Sequence, residues 1–365
     1  MNKLSILQIN SSKTWAGGET HIKDLCQGLS DQGHDIYLTV RSQIADNFND
    51  MDINLIILPL KNSVDFYSIY KLTNIIKRNK IDIIHVHNGK DYWLAVLARY
   101  FAGRGKIIAS RHILKALGNS FLHKKMFGEI DQFIAVSDSV KNKLIKQNNI
   151  DSAKIKVIHN GMDINSFQTQ KTSYLYKQLK VNNQTFKIGM VGTLCDRKNQ
   201  EIILETAALI NNPNFKFIII GDDPSEEKIY LNKLQKIIHK YEIENKIIMT
   251  GFRDDIANLM SFFDILVVPS KSEAFGLVVI EGMASKTPII ASNVDGIKEI
   301  INNNINGFLI DPDDKNELKE KILYLYENEN IYSKFCDEGL ETVKNKFSLD
   351  VMCSKVENAY FQSLR

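Results

Sequence analysis

Residues 269–299 read PSKSEAFGLVVIEGMASKTPIIASNVDGIKE, and an apolar run, FDILVV at 263–268, leads into them. The run has the length of a strand and no helical period, so it predicts a buried strand. A polar loop follows at 270–274, then a helical pattern over 275–285, then Pro288 and a second apolar strand. Such strand-loop-helix-strand units belong to open parallel sheets, in which ligands bind at the carboxyl ends of the strands and helix starts present backbone N–H groups. Glu273 in the loop and Glu281 on the helix have seven residues between them. Each has an ordinary reading as well, Glu273 as a helix cap and Glu281 as a solvated helix residue.

Outward from this unit, apolar strands are expected at 4–9, 36–40, 55–58, 81–86, 106–109, 133–136 and 155–158, and again at 186–191, 215–220, 247–249 and 307–310. Strands alternating with helical stretches imply an α/β chain with doubly wound parallel sheets. A length of 365 residues with 44% apolar content suits two domains. The expected division is an N-terminal domain over 1–165, a polar linker over 166–185, a C-terminal domain over 186–345 and a final helix over 346–365 that packs back toward the first domain.

Several residues at strand ends are candidates for chemistry. Gly17 and Gly18 stand between the first strand and a helix that carries Glu19 and His21, a place where backbone can approach a phosphate or simply turn. His85 and His87 end another strand in HVHNG, next to Asn88. Their two-residue spacing puts them on one face, but no third ligand lies nearby in the sequence, so no metal site is expected. His112 follows the strand at 106–109 in SRHIL, and Ser137 is an N-cap candidate. In the second half, Gly192 and Thr193 open a strand-to-helix turn that continues to Arg197 and Lys198. A glycine followed by two cations fits a departing diphosphate, because fixed cations and N–H dipoles stabilise developing negative charge. A charged loop tip is the plain alternative. Asp311 and Asp313 spell Asp-x-Asp, but Pro312 and the following helix favour capping.

The Glu273 to Glu281 arrangement, with Phe275 and Gly276 after the first carboxylate and Pro288 before the next strand, resembles the donor-site signature of retaining glycosyltransferases of family 4. The resemblance implies the GT-B architecture of two facing Rossmann-like domains. It also implies that Glu273 faces the sugar, with Ala274, Phe275, Gly276 and Leu277 beside the phosphates, and that Glu281 bonds the ribose. Gly17-Gly18-Glu19-Thr20-His21 resembles the family's Gly-rich loop. Ser110-Arg111-His112 resembles its sugar-contacting histidine motif, Gly251 and Phe252 its base-binding turn, and Lys198 its phosphate-binding lysine. Glu19, His21, His87 and Asn88 are then expected on the acceptor side. Four positions depart from the family: Thr193 where an arginine is expected, Asp223 for the second glycine of Gly-Asp-Gly-Pro, and Asp295 and Lys298 for the first glycine and the proline of Gly-Gly-x-Pro-Glu. The implied function is transfer of a sugar from a nucleotide-diphosphate sugar to a saccharide or lipid-linked acceptor, with retention, no cofactor and no metal. A nucleotide-sugar epimerase or phosphorylase, and a silent nucleotide-sugar-binding subunit, remain as alternatives of the same fold.

Composition narrows the partners. The chain's net +3 divides into +7 over residues 1–165 and −4 over the rest. A basic half suggests an anionic partner, and without a module of interleaved aromatics a membrane surface is preferred to nucleic acid. FLHKKMF at 121–127 reads as a short basic amphipathic segment. No apolar run reaches the roughly 18 residues of a membrane span, and the first residues look like a strand rather than a signal peptide. A cytoplasmic protein, peripheral on the membrane's inner face, is therefore expected. Cys26, Cys195, Cys336 and Cys353 have no metal or disulfide spacing.

Overall fold

A computed structural model describes residues 3–168 and 171–365; positions 1 and 2, and two positions of the expected linker, 169 and 170, lie outside the described residues. The chain forms two compact units. One comprises Met1–Met162 with Leu349–Arg365, the other Asp163–Ser348.

The first unit is built on a seven-stranded parallel sheet: β1 (Ser5–Asn10), β2 (Asp35–Val40), β3 (Asn54–Ile57), β4 (Ile83–Val86), β5 (Lys106–Arg111), β6 (Gln132–Ala135) and β7 (Ile155–Val157). Their order is β3-β2-β1-β4-β5-β6-β7. The second unit has six parallel strands, β8 (Phe186–Val191), β9 (Phe215–Ile220), β10 (Ile247–Gly251), β11 (Ile265–Val268), β12 (Ile289–Ser292) and β13 (Phe308–Ile310), in the order β10-β9-β8-β11-β12-β13. Both sheets are Rossmann-like. The order reverses between β1 and β4 and between β8 and β11, the switch points at which ligands bind in such sheets. The central strands are buried along nearly their whole length, as a parallel sheet covered on both faces requires.

The segment 166–185 is not a bare linker. It contains the helix Ser173–Gln178, whose Leu175 is fully buried, and it belongs to the second unit. Polar composition hid this single apolar anchor. The last helix, Leu349–Leu364, packs on the helix Gly17–Asp31. Met352, Cys353, Val356, Ala359 and Tyr360 join Ile22, Leu25 and Cys26 in one core. Glu357 meets the buried His34 at 3.1 Å, and Leu349 N–H donates to Met162 C=O at 2.9 Å. All four cysteines are free thiols. Burial pushes the Cys353 thiol up to about 12, so it stays protonated.

Two capping expectations resolve differently. Ser137 Oγ accepts from Val140 N–H at the start of the helix Asp138–Asn148. Asp314, rather than Asp311 or Asp313, caps the helix Lys315–Glu327, and Asp311 accepts instead from Asp313 N–H in the preceding turn.

Candidate functional site

In the second unit the loop after β11 and the turn after β8 meet at one carboxylate. Lys198 Nζ lies 2.6 Å from Glu273 Oε2, and Arg197 Nη1 lies 3.2 Å from the same oxygen and 3.0 Å from Ser272 C=O. Lys198 and Glu273 are largely buried while Arg197 is half exposed, so the first pair is fixed and the arginine is accessible. Backbone geometry sets the cluster. Asn199 takes a left-handed conformation (φ 59°) after the 3-10 turn Asp196–Lys198, and its side-chain amide donates to Pro269 and Pro312 carbonyls at 3.2 and 2.7 Å. That ties the cation turn to the start of the Glu273 loop.

Asp295, a departure from the family pattern, holds the same loop. Its Oδ2 accepts from Ser272 Oγ at 2.7 Å and from Glu273 N–H at 3.2 Å. Gly296 N–H donates to Glu273 C=O at 3.0 Å. A Cβ on Gly296 would stand 2.4 Å from Ala274 O, so only glycine permits this approach. Gly276, at φ 110°, leads into the helix Leu277–Ala284, which carries Glu281. Ala274, Phe275 and Leu277 flank that entry, with Phe275 buried against Phe347.

Of the other departures, Asp223 has a local explanation. Asp223 accepts from Ser225 and from Tyr230 and Leu231 N–H groups at the start of the helix Ile229–Lys240. The Ser225 hydroxyl bond, with the backbone donors, holds its carboxyl down at about 2. It is a helix cap. Thr193 is exposed, and its C=O accepts from Gln200 Nε2, while the neighbouring Gly192 opens the turn over the Lys198 stem. Gly251 (φ 72°) ends β10 and presents Phe252, which is 78% exposed. Phe252 lines an open depression of about 550 Å³ with Tyr174, Gln178 and Arg253.

In the first unit four histidines converge. His85 lies on β4, His87 just past it, His112 just past β5, and His21 on the helix Gly17–Asp31. A hydrogen-bond chain joins three of them. Gln8 Nε2 donates to Tyr360 Oη at 3.3 Å, so Gln8 Oε1 accepts from His87 Nε2–H at 2.8 Å. His87 Nδ1 is then a lone pair, facing His112 Nε2–H at 3.3 Å. The Tyr360 hydroxyl donates to His85 Nδ1 at 2.7 Å, and His85 Nε2–H donates to Ser110 Oγ at 2.7 Å. Burial keeps the rings neutral, pulling His85 down to about 3 and, with Arg111 adding to it, His112 to about 4. His21 and His87 are lowered as well, first by burial and then by the neighbouring imidazoles.

Not every candidate in this unit faces outward. Glu19 is buried, and its carboxylate accepts from Ala16 N–H at 3.1 Å, capping its own helix. Gly17 and Gly18 form that helix's first turn, and space around Gly18 is open. Asn88 Nδ2 donates to Asn10 Oδ1 at 2.8 Å. Gln8 and Tyr360 were missed by sequence reasoning. Gln8 carried a signal, as a polar residue within an apolar strand; Tyr360, far away on the last helix, carried none.

Known proteins resemble the chain in both of its halves. The family model of Glycosyltransferase Family 4 matches residues 15–166, and that of Glycosyl transferases group 1 matches residues 175–341. N-acetyl-alpha-D-glucosaminyl L-malate synthase of Bacillus anthracis is 25% identical over 94% of this chain and 93% of its own length. The UDP-Gal:alpha-D-GlcNAc-diphosphoundecaprenol alpha-1,3-galactosyltransferase of Escherichia coli is 27% identical over 82% of this chain and 80% of its own. A solved glycosyltransferase from Rickettsia africae aligns over 100% of both chains with 26% identity and a TM-score of 0.90. Anabaena HepE, solved in complex with UDP, shares the fold at 22% identity over 98% of this chain and 100% of its own, with a TM-score of 0.85. With two family models in tandem and two Rossmann-like units, the chain belongs to the family 4 glycosyltransferases of the GT-B fold.

Proposed function

We propose that this glycosyltransferase retains anomeric configuration and moves a sugar from a nucleoside-diphosphate sugar to a hydroxyl of a saccharide or lipid-linked acceptor, in the synthesis of a cell-surface polysaccharide or lipopolysaccharide. The observation that carries the reading is the convergence of Lys198 and Arg197 on Glu273 at the carboxyl edge of the second sheet. In the reaction the bond from the anomeric carbon to the diphosphate oxygen breaks. Lys198, Arg197 and the first amides of the helix Leu277–Ala284 take up the charge. The acceptor hydroxyl attacks the same face and its proton passes to the leaving phosphate oxygen. Glu281 is assigned to the ribose, Phe252 to the face of the base, and His112 to a hydroxyl of the transferred sugar. This scheme uses no cofactor and no divalent ion. The relatives' names support the donor and acceptor classes: one transfers galactose from UDP to a diphosphoundecaprenol-linked sugar.

Titration of the protein with UDP-, GDP- and ADP-sugars is expected to find one nucleotide class that binds. Glu281→Ala should weaken it by about tenfold or more, since a hydrogen bond to a charged group is worth ~1.5–3 kcal/mol. Failure of every nucleotide sugar to bind removes the donor assignment, and a product of opposite anomeric configuration by NMR removes retention.

A further inference from the structure

We propose that His21, His87 and His112 of the first unit form a binding site for a zinc-class divalent metal ion. One ring nitrogen of each lies within 4.8 Å of the others. Two imidazole nitrogens on one tetrahedral zinc, each ~2.0–2.1 Å from the ion, stand roughly 3.3–3.4 Å apart. His87 Nδ1 and His112 Nε2 already have that spacing, at 3.3 Å. Bringing the third nitrogen from the outer limit of 4.8 Å to the same spacing takes a side-chain shift of about 1.5 Å. A void of about 10 Å³, room for about one water, adjoins His21 and His112.

The chemistry of the donors fits as well. The lone pair of His87 points at the cluster because its other nitrogen donates to Gln8, the outer partner that orients a metal-binding imidazole. His112 accommodates the ion by moving its proton from Nε2 to Nδ1, a buried nitrogen with no hydrogen-bond partner among the described residues. His21 Nδ1 likewise has none. Three imidazoles without a thiolate or carboxylate suit zinc, copper or nickel rather than magnesium or calcium. They leave a fourth position for water or an anion. The consequence for activity rests on the glycosyl-transfer reading: an ion on His112 takes the nitrogen face meant for the sugar and inhibits transfer.

The test uses the full chain, stripped with EDTA and titrated with zinc sulfate against a chromophoric chelator. One ion per chain is expected. His21→Ala and His87→Ala should each weaken binding at least about tenfold, and Gln8→Leu by ~10–100-fold as an outer-shell change. His239→Ala, at an exposed ring, should leave it unchanged. Absence of stoichiometric binding, or binding that survives His87→Ala, overturns the site. Should a variant fail to fold by thermal melting, anomalous scattering from zinc-soaked wild-type crystals decides: density among the three rings supports the site, and its absence there overturns it. A transfer assay with and without chelator separates the two readings. Zinc bound at these rings without inhibition leaves the metal site standing and removes His112 from the sugar.

Discussion

Lys198 is the cation whose removal should tell most about the donor step. Its ammonium is held at 2.6 Å from Glu273 in a largely buried pair, whereas Arg197 is half exposed and divides its bonds between Glu273 and a backbone carbonyl. Lys198→Ala is expected to lower turnover far more than donor affinity, raising the barrier by ~2–4 kcal/mol as lost oxyanion donors do. Steady-state kinetics with direct donor titration measures the split, and a near-normal rate would transfer the role to Arg197. At this scale the sequence was legible in placement where a motif kept its residues: Glu273 and Lys198 meet in one ion pair, and His112 stands just past β5. It was less so where a residue had been exchanged. Asp223 and Asp295 look like lost glycines in the sequence, yet one caps a helix and the other fixes the Glu273 loop. Only the partners, dozens of residues away or in the next turn, reveal those roles.

At the scale of elements, the strands were readable because parallel strands buried on both faces are short continuous apolar runs. Boundaries moved by a residue or two, and β5 continues through Ser110 to Arg111. The helix Ser173–Gln178 was missed because six residues with one buried leucine carry almost no period. The histidine cluster was half legible. HVHNG gave two rings, while His21 and His112 came from other elements that the switch point brings together. The last helix matters most to that cluster. Tyr360→Phe removes the hydroxyl that serves His85 and Gln8 and leaves two buried polar groups without it. A loss of about 1–3 kcal/mol is expected for the orphaned groups, read as a lower urea midpoint at unchanged slope. An unchanged midpoint would show that the hydroxyl contributes nothing net to this network.

Across the whole molecule, charge is unevenly divided, and residues 1–165 carry the excess of Lys and Arg. The helix Phe121–Gly128 buries Met126 and Phe127 but exposes Phe121, Leu122, Lys124 and Lys125. Among the described residues no helix is long and apolar enough to cross a membrane. Cations near an anionic surface contribute on the order of 1 kcal/mol each, screened over ~10 Å at 0.1 M salt. Those magnitudes set the expectation at weak, reversible attachment. The protein is expected to co-sediment with anionic vesicles at low salt, to be released at higher salt, and to lose binding when Lys124→Glu and Lys125→Glu are combined. Equal recovery with neutral and anionic vesicles would dismiss the membrane partner without touching the donor site. The return of residues 349–365 to the first unit has a further consequence, during synthesis. A chain growing from its amino end displays a seven-stranded sheet whose core still lacks Met352, Val356 and Tyr360. That sheet must wait while the whole second unit is made, roughly 10–40 s at ~5–20 residues per second. The unit translated second is therefore the first that can finish folding, and the first half of the nascent chain passes that interval with its core incomplete.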